Sequence, residues 1–147
     1  MKCEIISVGD ELLIGQTINT NASWLGEQLN NLGFTIGHGL VISDQKKDIF
    51  NALSQAEKRS DIVLITGGLG PTNDDITKHT LTEYFNTTLE LNKEIEQNII
   101  DYFTSRNLPI LQTNKDQALI PKSCQVLPNN RGSASGMWFE KNGIIFI

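Results

Sequence analysis

"DIVLITGGLGPTNDDITKHTLTEYF", residues 61–85, combines an apolar run, a glycine-rich break and an amphipathic segment. "DIVLIT" is apolar between its ends, as a strand is when both faces of a parallel sheet are covered. Gly67, Gly68 and Gly70 then break the run. After them Ile76, Leu81, Tyr84 and Phe85 fall along one side of a helix. Strand, glycine-rich turn and helix, in that order, belong to an open α/β sheet. In such sheets ligands sit in the crevice beyond the C-terminal ends of the strands. The glycines would let the backbone approach a phosphate, and the following helix would offer its N-terminal amides. Yet Asp74 and Asp75 close the same loop and would repel that phosphate.

Two common phosphate loops do not fit. A P-loop ends in Gly-Lys-Ser/Thr, which is absent here, and G-x-G-x-x-G fails because Asn73 holds the last glycine's place. The aspartates have two readings. One of them is a helix N-cap. Alternatively, at least one binds a divalent cation shared with a phosphate, since Mg²⁺ is usually held by hard carboxylate oxygens plus substrate phosphate. The cation would turn two repulsions into attractions.

On either side of this stretch the chain alternates strands and helices. "CEIISVG" is a strand closed by Gly9. Ala22, Leu25, Leu29 and Leu32 follow at helical spacing, with Gly33 as the stop. "FTIGHGLVIS" is extended again, and Asp44 is expected to cap a second helix with Ile49, Phe50, Leu53 and Ala56 inside. A further helix runs from Asn92 to about Arg106 on Ile95, Ile99 and Phe103. Near the end, Asn142-Gly143 between two apolar runs predicts a β-hairpin. The expected class is α/β, a mostly parallel, helix-covered sheet with an antiparallel addition.

Residues 1–147 read as a single domain. The chain ends at Ile147 within an expected buried strand, so the domain is expected to be truncated there. Other strand ends also deliver acids: Asp10 and Glu11 after the first, Asp44 after the second. Each alone reads as a turn or cap residue, but three strand ends supplying acids to one edge of a sheet suggest a site. "NNRGSASG", residues 129–136, is a second small-residue turn that could offer amides and hydroxyls or could be a plain loop.

The net charge of −5, with 17 acids against 12 bases and no basic block, argues against direct nucleic-acid binding. No apolar stretch approaches membrane-spanning length. Cys3 and Cys124 have no metal-ligand spacing and read as reduced thiols, so a cytoplasmic protein is expected. His38 and His79 lack a partner at any readable spacing. Trp24 and Trp138 read as core or rim. No nucleophile elbow or Cys–His pairing supports covalent catalysis.

"SVGDELLIGQTINTNASWL", "TGGLGPTNDDIT" and "NNRGSASGMWFE" together closely resemble the N-terminal domain of the competence/damage-inducible protein A (CinA) family. That domain belongs to the molybdopterin-binding-like superfamily, with MogA and MoaB. The resemblance implies a three-layer α/β/α sandwich, homo-oligomers (dimer or trimer), and metal-dependent hydrolysis of ADP-ribose to AMP and ribose 5-phosphate. It also implies a C-terminal domain deamidating nicotinamide mononucleotide in many members, which nothing in these 147 residues resembles.

Carried over by motif, the resemblance makes Thr66–Asp75 the ligand loop, with Thr66, Gly67, Gly68, Gly70, Thr72 and Asp74 on a small-molecule nucleotide. Gly132 and Ser133 would join them from the late turn. Asp75, Asp44 and Glu11 would be the catalytic and metal-holding acids, the metal being Mg²⁺ or a transition metal. The glycine amides would hold the pyrophosphate, and a metal-bound water would attack it. A molybdopterin-binding or adenylyl-transferring protein of the same fold is the alternative, as is a non-catalytic binding module.

Overall fold

The computed structural model describes residues 1–70 and 76–147. Alternation of apolar strands with amphipathic helices yields the expected class. The elements are β1 (Lys2–Val8), α1 (Asp10–Leu13), α2 (Thr20–Asn31), β2 (Thr35–Ile42), α3 (Lys46–Ala56), β3 (Ile62–Thr66) and α4 (Thr77–Tyr84). They continue with β4 (Leu89–Leu91), α5 (Lys93–Thr104), α6 (Gln112–Lys115), a short 3-10 turn (Asp116–Ala118), β5 (Leu119–Pro121), β6 (Gln125–Leu127), β7 (Gly136–Lys141) and β8 (Ile144–Phe146). Among the described residues the main sheet has the order β2-β1-β3-β8-β7-β6. β1, β2, β3 and β8 pair in parallel, while β7 and β6 add on antiparallel.

The hairpin forms where the sequence places it. Asn142 and Gly143 both take positive φ, 54° and 79°, the backbone a tight two-residue turn requires. The turn returns β8 to the centre of the sheet, where Phe146 is fully buried. Burying a phenylalanine is worth about 2–3 kcal/mol. The ring of Phe85 stacks on Phe139 at 4.1 Å and meets Phe146 edge-on, so the end of α4 is pressed onto the hairpin. Ile49, Leu53 and Ala56 of α3 are buried in the same core, and Phe50 packs against its edge. A smaller core of Ile95, Ile99, Ala118 and Ile120 lies under α5, with Phe103 packed beside it.

Two expectations need correction. Asp44 does not cap α3: the N-cap is Gln45, without a side-chain hydrogen bond, and the Asp44 carboxylate is engaged elsewhere. Trp24 is neither core nor rim, being 61% exposed. It lies on α2, a helix with no fully buried residue that packs on the edge side of the sheet.

At the opposite end of the strands from their C-termini, β1 buries a charge. Glu4 is completely buried and accepts bonds from Arg59 Nε and Nη2 at 2.9 and 2.7 Å and from Ser60 Oγ at 3.0 Å. Burial alone would raise its carboxyl, but the Arg59 and Ser60 bonds more than reverse this and hold it below the usual range.

Candidate functional site

Parallel register brings three strand ends to one edge, with Val8 opposite Ile42 and Ser7 opposite Thr66. Gly9 donates its N–H to the Ile42 carbonyl at 3.0 Å, which binds the first turn to the second strand. The chain then enters α1. There Asp10 N–H donates to Asp44 Oδ2 at 3.0 Å, and Asp44 N–H donates to Asp10 Oδ1 at 3.3 Å. The acids after β1 and β2 are thus tied to each other through their own backbones. The Glu11 carboxylate is folded over Gly9. A Cβ at Gly9 would lie 2.5 Å from Glu11 Oε1.

The glycine-rich turn is wedged between these strand ends. Gly67, at φ 99°, presses on β1 so closely that a Cβ there would land on the Val8 carbonyl oxygen. Gly68, at φ 63°, fits between the Thr77 hydroxyl and Asp44, whose Oδ1 would be 3.5 Å from an added Cβ. Its carbonyl accepts the Thr77 N–H at 3.3 Å, closing the loop onto the start of α4. Both glycines are therefore required by packing as well as by φ. Thr66 is half-buried at the end of β3, and Gly70 lies in a bend after the turn. Thr72, Asp74 and Asp75 lie outside the described residues.

Several participants carried no signal in the sequence reading. Ser7 is buried and accepts a bond from Asn19 Nδ2 at 2.8 Å, while Asn19 Oδ1 caps α2 at the Ala22 N–H. One side chain thereby fixes the start of α2 to the end of β1. Gln117 reaches from the 3-10 turn to donate to the Leu69 carbonyl at 3.3 Å. Lys78 donates to the Asp116 carbonyl at 3.1 Å, and burial pushes its ammonium down, an effect Asp116 partly offsets. Among the described residues, buried Thr77 Oγ1 and Gln117 Oε1 have no hydrogen-bond partner. Both belong to residues that touch the glycine-rich turn, where a ligand could complete them. Thr77 ends the quoted "TGGLGPTNDDIT" motif and could have been found there; Gln117, 40 residues on, could not.

The late turn is braced by Asn129, which donates to the Ala134 carbonyl at 2.8 Å and accepts from Arg131 N–H at 2.9 Å. Gly132 and Ser133 face a cleft of about 550 Å³ between this turn and α5. A separate small cavity of about 10 Å³ is bounded by Leu69, Lys78, Gln117 and Ser135, between the glycine-rich turn and the late turn.

Chemically the strand-end crevice offers glycine amides, a threonine hydroxyl and carboxylates. These hard oxygen donors suit Mg²⁺, which takes one or two carboxylates beside waters and phosphates, better than they suit Zn²⁺. Asp10 and Asp44 are brought together, and Asp44 to the glycine turn. Among the described residues no group of three or more His, Cys, Asp or Glu side chains is gathered to hold a metal. No helix of the described residues is long and apolar enough to cross a membrane.

Residues 4–143 match the family described as a probable molybdopterin binding domain. The chain belongs to this family. Within it, the chain is similar to a CinA-like protein of Flavobacterium psychrophilum, at 49% identity over the whole chain and 35% of that protein. A CinA-like protein of Cytophaga hutchinsonii is 45% identical over 98% of the chain and 34% of its own length. The chain thus spans about a third of the curated relatives it matches. Among solved structures, CinA from Thermoplasma acidophilum superposes with a TM-score of 0.86 at 31% identity, covering 99% of this chain and 85% of that one. The family member is therefore a CinA-like domain. The molybdopterin biosynthesis enzyme MoaB from Thermus thermophilus shares the fold, with a TM-score of 0.60 at 16% identity over 99% of this chain and 77% of its own.

Proposed function

We infer that the strand-end crevice binds a phosphate-bearing small molecule, its phosphates on the Gly67–Gly68 turn and its charge balanced by a divalent cation. One observation carries this reading: Gly68 is seated between Asp44 and the Thr77 hydroxyl, which has no hydrogen-bond partner among the described residues. Backbone amides, a buried hydroxyl and a carboxylate come together at one turn at the ligand edge of an α/β sheet. Asp44 would hold the cation, with Asp75 and Glu11 as the further acids the sequence points to. When bound, the cation supplies charge neutralisation between carboxylates and phosphate and a more acidic water.

Two ligands fit this chemistry. Hydrolysis of ADP-ribose to AMP and ribose 5-phosphate is what the CinA resemblance implies. In that reading the Gly67 and Gly68 amides hold the pyrophosphate, Thr77 Oγ1 donates to one of its oxygens, and Gln117 keeps the turn in place through Leu69. The second reading is molybdopterin binding, which the family description and the fold shared with MoaB favour. A panel of nucleotides and pterin phosphates, with and without divalent metal, separates the two by which ligand binds and which product forms. Release of AMP from ADP-ribose only with metal supports the first; tight pterin binding without turnover supports the second.

Assembly into a homo-oligomer belongs to the same reading. Exposed Ile14, Ile18, Trp24 and Leu32 on and beside α1 and α2 are more apolar surface than a lone copy needs. Light scattering gives the mass directly, and a monomer at all concentrations would refute it.

A further inference from the structure

We propose that the Asn142–Gly143 turn is a site of spontaneous deamidation, a modification that sets a carboxylate against Glu57 and loosens the hairpin from α3. The chemistry needs no enzyme. The Gly143 backbone nitrogen attacks Asn142 Cγ, the Cγ–Nδ2 bond breaks, and ammonia leaves with the Gly143 proton. Water then opens the cyclic imide at either carbonyl. The product is aspartate, or isoaspartate with the main chain lengthened by one methylene.

The fold supplies its own comparison. Asn86, Asn107 and Asn142 all take positive φ, at 49°, 52° and 54°. They precede Thr87, Leu108 and Gly143, and Asn142 is the one asparagine of the chain followed by glycine. The threonine and leucine side chains crowd the attacking nitrogen, whereas glycine leaves it open. A Cβ at Gly143 would meet nothing within 4 Å, so the rest of the fold does not obstruct the approach either. Among the described residues the Gly143 N–H, between the two strands, donates to no backbone carbonyl.

Glu57 makes the modification consequential. Just past α3, it accepts Asn142 Nδ2 at 2.7 Å on one oxygen; Lys141 Nζ at 3.0 Å and the Tyr84 hydroxyl share the other. Burial alone would raise its carboxyl, but these bonds hold it below the usual range, so it is anionic at neutral pH. Glu57 thereby fastens the hairpin to α3 and to the end of α4. The Nδ2 bond has to open before the carboxamide can turn onto Gly143. Asn142 is exposed, so that opening is a local event. Deamidation replaces the Nδ2 donor with an acceptor and brings two like charges to hydrogen-bond distance. β8, just past the turn, pairs with β3 through Ile145 and Phe146, so slack in the turn reaches the strand that carries the glycine-rich turn.

The test is peptide mapping by tandem mass spectrometry of the purified chain held at mildly alkaline pH, where base draws the proton from the attacking nitrogen. Conversion at Asn142 should outpace conversion at Asn86 and Asn107 tenfold or more. The acidic product, separated by anion exchange, should melt below the unmodified chain. Asn142→Asp should likewise melt lower at neutral pH. Adding Glu57→Gln should recover most of that loss, because the glutamine amide can donate to the new carboxylate. Comparable rates at the three asparagines would overturn the site. An acidic product that melts with the unmodified chain would overturn the loosening, whether or not Asn142→Asp folds.

Discussion

Asp10 and Asp44, 34 residues apart, each accept the other's backbone N–H, at 3.0 and 3.3 Å. The exchange joins the turns after β1 and β2 and leaves Asp44 Oδ1 beside Gly68. The Asp44 carboxylate therefore has one oxygen committed to structure and one turned to the glycine-rich turn. Asp44→Asn can keep the bond from Asp10 through its amide oxygen but loses the charge. Stability should stay within about 1 kcal/mol, the worth of a typical hydrogen bond, while metal-dependent ligand affinity drops tenfold or more. Thermal melts and ligand titrations on the same variant check it; unchanged affinity would make Asp44 purely structural.

Two glycines separate conformational from steric demands. Gly143 has φ 79° with nothing within 4 Å of a Cβ, so Gly143→Ala should cost about 1 kcal/mol for the strained backbone alone. Gly67→Ala adds a direct collision with the Val8 carbonyl and should cost about 3 kcal/mol or more, or prevent folding. Urea unfolding of the two variants side by side reads the difference. Equal losses would mean that the turn can move off β1.

Acid sensitivity should trace to Glu4. Its folded carboxyl titrates below its unfolded value of about 4.3. It therefore contributes stability that is fully present above the unfolded value and is lost as pH falls through the lower folded one. Glu4→Gln should be less stable at neutral pH and show a flatter decline on the acid side. Parallel acid limbs for the two proteins would assign the effect to other carboxylates.

Local chemistry made much of this fold legible. The apolar run of β3, its glycine turn, the stripe of α3 and the Asn142-Gly143 hairpin are each written within a few neighbouring residues. What stayed hidden depends on distant partners. Asp44 reads as a helix cap because aspartate before a helix usually is one, but the Asp10 amide draws its side chain away. β4 and β5 are three residues each and pair across 30 residues of sequence, too short for any periodic signal. Gln117 reads as an ordinary polar residue until the fold sets it against Leu69. In the site, Asp10 and Glu11 both read as acids after β1, and only the backbone exchange identifies Asp10 as the one joined to Asp44.

Carboxylates and phosphate are expected to share the crevice only through a cation. In a partly desolvated site their repulsion is far less screened than in water. Titration calorimetry of ADP-ribose, with Mg²⁺ and then in excess chelator on the same sample, tests this most directly. Binding should be measurable with Mg²⁺ and at least tenfold weaker without it. Equal affinity in both conditions would contradict it, and Asp44 and its neighbouring acids would then be structural residues alone.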